Sequence, residues 1–426
     1  MRQIWETWNS WSLIWRILGG LIIGTVLALV APGMEWLTMI GSLFVGALKA
    51  VAPLLVFVLV INAICSATKA SGMGRIVLLY IISTFIAGVV SVIACYLFPI
   101  HLTLAGVEAA ENTAPSGVAE VIANLLQKIV SNPFGSLTEA NFLGILMWAI
   151  LIGIALRQAS DSTKDFMSDI SDAVSQVVRW IIAFAPFGVA GLVYDAVSTS
   201  GLEIFTEYGM LVAILVVVML IIALVTNPIL VFLVTRENPF PLVLRCLKDS
   251  AIMAFFTRSS AANIPVNMEL CNRLGLNKDT YSVSIPLGAT INMAGACVTI
   301  TVLALAAATT MGIGVDPLTA IILCVLSAVS ACGASGVPGG SLLLIPVACS
   351  LLGIDSNIAF QMVSIGFIIG VIQDSCETAL NSSSDVVFTA SVEYADLKKQ
   401  GIAVEMGKDH APYIEHKSHG NAALAG

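Results

Sequence analysis

Apolar residues run along this chain in blocks long enough to cross about 30 Å of hydrocarbon. They fall near 12 to 31, 40 to 65, 76 to 99, 140 to 157, 175 to 198, 208 to 235, 281 to 311 and 357 to 385, and they predict about eight transmembrane helices. Two further apolar stretches, near 246 to 275 and 318 to 352, are broken in the middle by polar, Gly and Pro residues. Each arm of the first holds only about 10 to 14 residues, too few for a full crossing. A re-entrant hairpin therefore fits it better than a cytosolic loop joining two spans.

Lys and Arg favour cytoplasmic loops. With the N-terminus inside, every basic residue falls on the cytoplasmic side except Lys49, Lys128 and Arg258. The first broken stretch is flanked by Arg245/Lys248 and Arg273/Lys278, so it is expected to enter and leave from the cytoplasm. The second, between MGIGVDP and LLGIDS, has no flanking Lys or Arg and is expected to enter and leave from outside. Two re-entrant hairpins of opposite orientation, each followed by a crossing helix, form an inverted repeat. That arrangement suits a secondary transporter with its site near the midplane. Both termini are then cytoplasmic.

Composition narrows the class. Of 426 residues 58% are hydrophobic and 11% charged, against roughly 25% charged in a soluble domain, which excludes a soluble globular enzyme. The net charge of -8 excludes a nucleic-acid binder. The nine cysteines lie singly in mostly apolar runs, with no CxxC, and read as packing residues. Trp5, Trp8, Trp11 and Trp15 share one helical face, an expected interfacial belt before a retained first span, with no signal-peptide cleavage site. The stretch from 104 to 118 is expected to be a polar outer loop. Residues 393 to 426, with His410, His416 and His419, are expected to form a solvated, partly disordered tail.

The chemistry concentrates in four segments. The first tip, Thr257 to Pro265, offers Ser259 and Ser260 and the free N–H groups of a half-helix N-terminus, which suit an amino-acid carboxylate. Arg258 there is either a snorkelling charge or the partner of a buried acid. The second tip, Gly333 to Ser341, has four glycines and a proline, which leave backbone groups free for a cation or a flexible lid. Asn292, between Gly288 and Gly295, suggests an unwound helix that exposes carbonyls, or else interhelical hydrogen-bond glue. Asp374, Glu377, Thr378, Asn381 and Asp385 fall on one stripe of the last helix. An acid in mid-bilayer is expensive unless it meets a hydrated cavity or a cation. An amphipathic helix lying at the surface is the alternative, opposed by the apolar run from Gly366 to Ile372.

In this order, TRSSAANIP, GATINMAGA, GASGVPGGS and DSCETALNSSSD resemble the dicarboxylate/amino acid:cation symporter family, the glutamate-transporter fold. The resemblance covers nearly the whole chain. It implies an all-α membrane protein working as an elevator-type transporter, in a homotrimer within the lipid of a bacterial inner membrane. A scaffold (1–74 and 118–240) would hold a transport core (75–99 and 241–392), with 393–426 as tail. Carried over residue by residue, Asp374 matches the acid that holds the substrate amino group. Thr378 and Asn381 match the polar pair beside the substrate backbone. Ser260 matches the first-hairpin serine near the substrate carboxylate, and Ser259, with Val337 and Gly339 of the second tip, is expected among the substrate-binding residues. Gly288, Asn292, Asn381 and Asp385 match one Na+ site. Thr290, Met293 and the tip residues Ala331, Cys332 and Ala334 match another.

Two departures change the expectation. Acidic-substrate members carry an arginine three residues after the amino-group acid, where this chain has Glu377. A carboxylate repels aspartate and glutamate but accepts from a hydroxyl, so serine and threonine are the expected substrates. The family's Asn-Met-Asp-Gly has become Asn292, Met293, Ala294, Gly295, which removes the acid of a third sodium site formed with positions matching Tyr80, Ser83 and Thr84. Two other classes compete: an intramembrane hydrolase using Ser259 or Ser260, for which only His101 lies outside the tail as a base, and a passive channel.

Overall fold

A computed structural model describes residues 13–31, 33–65, 73–104, 127, 130–334, 339–402 and 404–410, and every regular element among them is helical. In chain order these are α1 (Leu13–Val30), α2 (Glu35–Cys65), α3 (Met73–Leu97), α4 (Pro133–Thr138), α5 (Phe142–Leu156), α6 (Asp161–Ala183) and α7 (Ala185–Ser200). They continue as α8 (Gly201–Thr235), α9 (240–257), α10 (Ser260–Arg273), α11 (Lys278–Ile291) and α12 (Ala294–Thr310). The last three are α13 (Pro317–Ala331), α14 (Gly340–Leu351) and α15 (Ser356–Lys399). Each of the eight expected spans coincides with helix. Five of the described helices are long and apolar enough to cross a membrane, or six if the bent pair α6 and α7 is one span. The chain is a multi-pass membrane protein.

The helices pack in two groups. α2 gathers α5, α6 and α7, and α1 lies along α7. α2 and α7 approach closely: a Cβ on Gly191 would lie 2.4 Å from the Leu37 carbonyl oxygen and 2.5 Å from the Gly41 nitrogen. Only glycine lets these backbones touch, as in other tightly packed membrane helices. The second group surrounds α15, which meets α9, α10, α11, α12 and α14, while α3 packs on α12 and α13. α8 lies along α15 and also meets α3 and α7. Lys49 of α2 links the two groups, donating to Asn357 Oδ1 at 2.9 Å, with its ammonium 5.6 Å from the Phe360 ring centre.

Several boundaries differ from those the sequence predicts. The block at 175 to 198 is not one straight span. The helix begins at Asp161 and bends by 53° between α6 and α7, where Pro186 near the start of α7 has no N–H to continue the ladder. Nor does the tail begin at 393. α15 runs on to Lys399, and the segment after it returns to the first broken stretch, with Arg245 to Asp409 at 2.8 Å and the His410 amide donating to the Arg273 carbonyl at 2.9 Å. The solvated, partly disordered end expected from 393 therefore does not hold for the described residues up to His410. His416 and His419 lie outside the described residues, as do Trp5, Trp8, Trp11 and Lys128.

The first broken stretch folds as two helices joined by a turn, and in the second α13 and α14 flank residues 335–338, which lie outside the described residues. In the first, the chain reverses at Arg258, whose φ of 51° lies in the left-handed region. Ser250 on α9 then faces Asn263 and Asn267 on α10: Asn263 Nδ2 donates to Ser250 Oγ at 3.0 Å, and Ser250 Oγ donates to Asn267 Oδ1 at 2.5 Å. Pairs placed on either side of residue 258 show that the arms run antiparallel. The same two amides reach Ser382 on α15, at 2.8 and 3.1 Å, which fixes the hairpin to the last helix. In the second stretch, Asp316 caps α13 by accepting from the amides of Leu318 and Thr319. The Thr319 hydroxyl also donates to it, and these bonds hold its carboxyl below the usual range.

Candidate functional site

The stripe on α15 is buried: Asp374 is 3% exposed, Glu377 5% and Asp385 1%. A helix lying on the membrane surface could not enclose three acids this way, so that alternative is excluded. Each acid has a different set of partners, and each set defines a different part of the site.

Asp374 lies where the two tips meet. Arg258, at the turn of the first hairpin, donates from Nε to Asp374 Oδ2 at 2.8 Å, with both side chains buried. Arg258 is thus the partner of a buried acid and not a snorkelling charge. From the second tip, Gly339 approaches the same carboxylate. Gly339 has φ +73°, and a Cβ there would lie 3.0 Å from the Phe367 ring, so the turn needs glycine on both counts. Ser259 caps α10, its Oγ accepting from the Ala262 amide at 3.2 Å, while Ser260 is buried. Val337, expected near the substrate, lies outside the described residues.

Glu377 is held by donors from three places. Its Oε2 accepts from Thr299 Oγ1 on α12 at 2.7 Å, from Ser341 Oγ on α14 at 2.8 Å and from Gln373 Nε2 one turn earlier at 2.5 Å. Ser341 makes one of them depend on where the second hairpin sits. Thr378, also buried, is the next residue along the same face.

The third acid belongs to an oxygen-rich pocket. α11 ends at Ile291 and α12 begins at Ala294; between them Asn292 (φ -90°, ψ 77°) and Met293 (φ -119°, ψ 49°) leave the helix, as the glycines around Asn292 suggest. Asn292 Nδ2 donates to Asp385 Oδ1 at 2.9 Å, to Ser384 Oγ at 2.7 Å and to the Asn381 carbonyl at 3.2 Å. Asn381 Oδ1 accepts from the Gly295 amide at 2.7 Å. Gly288 makes room for the acid, since a Cβ there would sit 2.5 Å from Asp385 Oδ1. Two oxygens in this pocket, Asn292 Oδ1 and Asp385 Oδ2, are buried without a hydrogen-bond partner among the described residues. An unpartnered buried acceptor is costly. Hard oxygens grouped in this way fit a small cation of the alkali or alkaline-earth kind better than a thiol- or imidazole-binding metal.

The second expected cation set is less tightly assembled. Met293 Sδ accepts from Asn381 Nδ2 at 3.4 Å, and Cys332 Sγ lies 3.5 Å from the Ile291 carbonyl, so the second tip does reach the α11–α12 break. Ala331 and Ala334 are buried beside it. Thr290 is exposed, and its hydroxyl turns back to the Leu287 carbonyl at 2.7 Å. At the positions matching a third site, Tyr80 bonds to Thr389 and the Ser284 carbonyl, Ser83 to Asn227 and Thr84 to the Tyr80 carbonyl. Their hydroxyls are already engaged, and Ala294 brings no acid.

Residues 13–395 match the sodium:dicarboxylate symporter family. A serine/threonine transporter of Streptococcus thermophilus (strain ATCC BAA-250 / LMG 18311) is 55% identical over 401 residues, 94% of this chain and 100% of the relative. One from Streptococcus agalactiae serotype III (strain NEM316) is 55% identical over 395 residues, 92% of this chain and 98% of the relative.

Proposed function

The chain belongs to the sodium:dicarboxylate symporter family, and from that premise we propose that it carries serine and threonine into the cell together with sodium. It is a carrier and not an enzyme, as its family and relatives are. The substrates are those in the names of its relatives, and the observation that carries them to this chain is Glu377. In the acidic-substrate pattern that position is an arginine. Here it is a buried carboxylate supplied with three donors, inside the cage formed by α12, α14 and α15. Ionised, it accepts from a substrate hydroxyl and repels a second carboxylate; protonated, it still exchanges hydrogen bonds with a hydroxyl and offers no cation to an acid.

The substrate ammonium sits at Asp374, with Thr378 and Asn381 beside the backbone of the amino acid, and Ser259, Ser260, Val337 and Gly339 enclose its carboxylate. The pocket of Gly288, Asn292, Asn381 and Asp385 takes one sodium ion. The second lies among Thr290, Met293, Ala331, Cys332 and Ala334. Asp374 and Glu377 each contact the second hairpin, through Gly339 and Ser341. Withdrawal of that tip frees an acceptor on each acid, and substrate takes the vacated positions before the tip returns. The packing of α1, α2, α5, α6 and α7 supports a frame within 1–74 and 118–240, and the group around α15 supports a moving core of 75–99 and 241–392, while α8, inside the frame's range, packs along α15; the two broken stretches are re-entrant hairpins of opposite orientation among eight crossings. The unit is a homotrimer in the bacterial inner membrane, with both termini in the cytoplasm.

The test is a competition series against labelled serine uptake, in wild type and Glu377→Ala. In wild type, serine and threonine should compete at concentrations about ten- to a hundredfold below alanine or aspartate, the worth of one hydrogen bond to a charged group. Glu377→Ala should erase the preference over alanine. Equal competition by alanine and serine in wild type, or a preference untouched by the substitution, contradicts the reading.

A further inference from the structure

Arg258 is a buried guanidinium with only part of its donor capacity used. Its Nε binds Asp374, whereas Nη1 is buried and has no hydrogen-bond partner among the described residues. The side chain is 7% exposed, so water does not make up the deficit. Leaving a charged donor unsatisfied in the interior is expensive, and such a group persists where a ligand completes it. The ion pair alone does not account for Arg258, because an arginine on a carboxylate commonly binds it through two parallel N–H groups, and no second bond to Asp374 is made here.

We infer that Arg258 Nη1 receives the α-carboxylate of the transported amino acid, so that the Arg258–Asp374 pair forms one receptor for both charges of the zwitterion. This rests on the reading of the protein as an amino-acid carrier and adds a substrate contact to it. The geometry is simple. An α-amino acid carries its ammonium and carboxylate on adjacent bonds of one carbon, and the receptor presents an acid and a guanidinium in direct contact at 2.8 Å. The start of α10, at Ser260, is only two residues further along the chain. Arg258 and Asp374 together are neutral, and so is the zwitterion, so loading leaves no uncompensated charge in the membrane interior, where one would be costly. Arg258 occupies a left-handed turn, and its side chain lies on Asp374 of α15.

Purified protein in saturating sodium, titrated calorimetrically with L-serine and with L-serinamide, tests this. Serinamide keeps the ammonium and the hydroxyl and replaces the carboxylate by a neutral amide. Wild type should bind serine about thirtyfold or more tightly than serinamide. Arg258→Gln should weaken serine by a similar factor and change serinamide by less than about threefold, so the ratio collapses. Arg258→Lys, which keeps the charge next to Asp374, should retain part of the ratio, and it serves if the glutamine variant does not fold. A role confined to holding Asp374 predicts that both ligands weaken alike and the ratio survives, which would overturn the assignment. Equal binding of serine and serinamide by wild type would overturn it as well. If wild type binds another amino acid and not serine, the substrate reading fails, while the same amide comparison on that amino acid still decides the role of Arg258.

Discussion

Asp385 shows how one side chain ties the site to an ion. Oδ1 accepts from Asn292, and Oδ2 has no hydrogen-bond partner among the described residues although the residue is 1% exposed. Asp385→Asn keeps the size and the amide contact but replaces an oxygen ligand and its charge. It should raise the sodium concentration for half-maximal serine uptake by about tenfold or more, since a lost charge–ion contact is worth a few kcal/mol. Unchanged sodium dependence with reduced maximal uptake would place the ion elsewhere. The acids themselves were legible in the sequence, because carboxylates at helical spacing inside an apolar block need partners. Their partners were legible only in part: Arg258 and Asn292 stood out, but Thr299 sits in an apolar stretch, and a hydroxyl in a helix can satisfy itself on a preceding carbonyl, so its presence says nothing about where it points. Thr299 does both, bonding Gly295 O at 3.2 Å and Glu377 at 2.7 Å. Gln373, one turn before Glu377, was the readable exception, since i and i+4 share a face.

At the scale of elements, glycine and proline announced the breaks because they act on the backbone directly. The interruption at Asn292 and the turn at Arg258 fall within the segments that the sequence marks. The bend at residue 184 does not show in hydropathy, because apolar residues continue through it; Pro186 was its only local signal. The polar knot of Ser250, Asn263, Asn267 and Ser382 was equally hidden, as its members come from three helices whose packing no linear pattern specifies. The topology of the hairpins gives a separate prediction. In protein cleared of native cysteines, cysteines placed at Gly314 and Ser356, which flank the second hairpin, should both react with an impermeant reagent from outside. One at Lys278 should react only after permeabilisation. The choice of Gly314 spares the cap at Asp316, and its Cβ would meet nothing within 4 Å. Labelling of Gly314→Cys and Ser356→Cys from opposite sides would make the stretch a full crossing and end the inverted repeat.

For the whole molecule, two packed groups of helices meet across contacts such as Lys49 with Asn357 and Phe44 with Phe367, whose rings are 5.2 Å apart edge to face. The described residues proposed for substrate and ions lie in the group around α15, as the proposed moving core requires. Both hairpin tips close on Asp374, and the cation pocket shares Asn381 with the substrate site, which gives binding of the two a common structure and therefore a coupling free energy. That coupling is the central claim. Its most direct test is uptake of labelled serine into proteoliposomes of the purified protein, with an inward sodium gradient and with potassium on both sides. Serine should accumulate above its external concentration only with the sodium gradient, and collapsing that gradient should release it. Equal uptake in potassium alone, or equilibration without accumulation, would contradict the account.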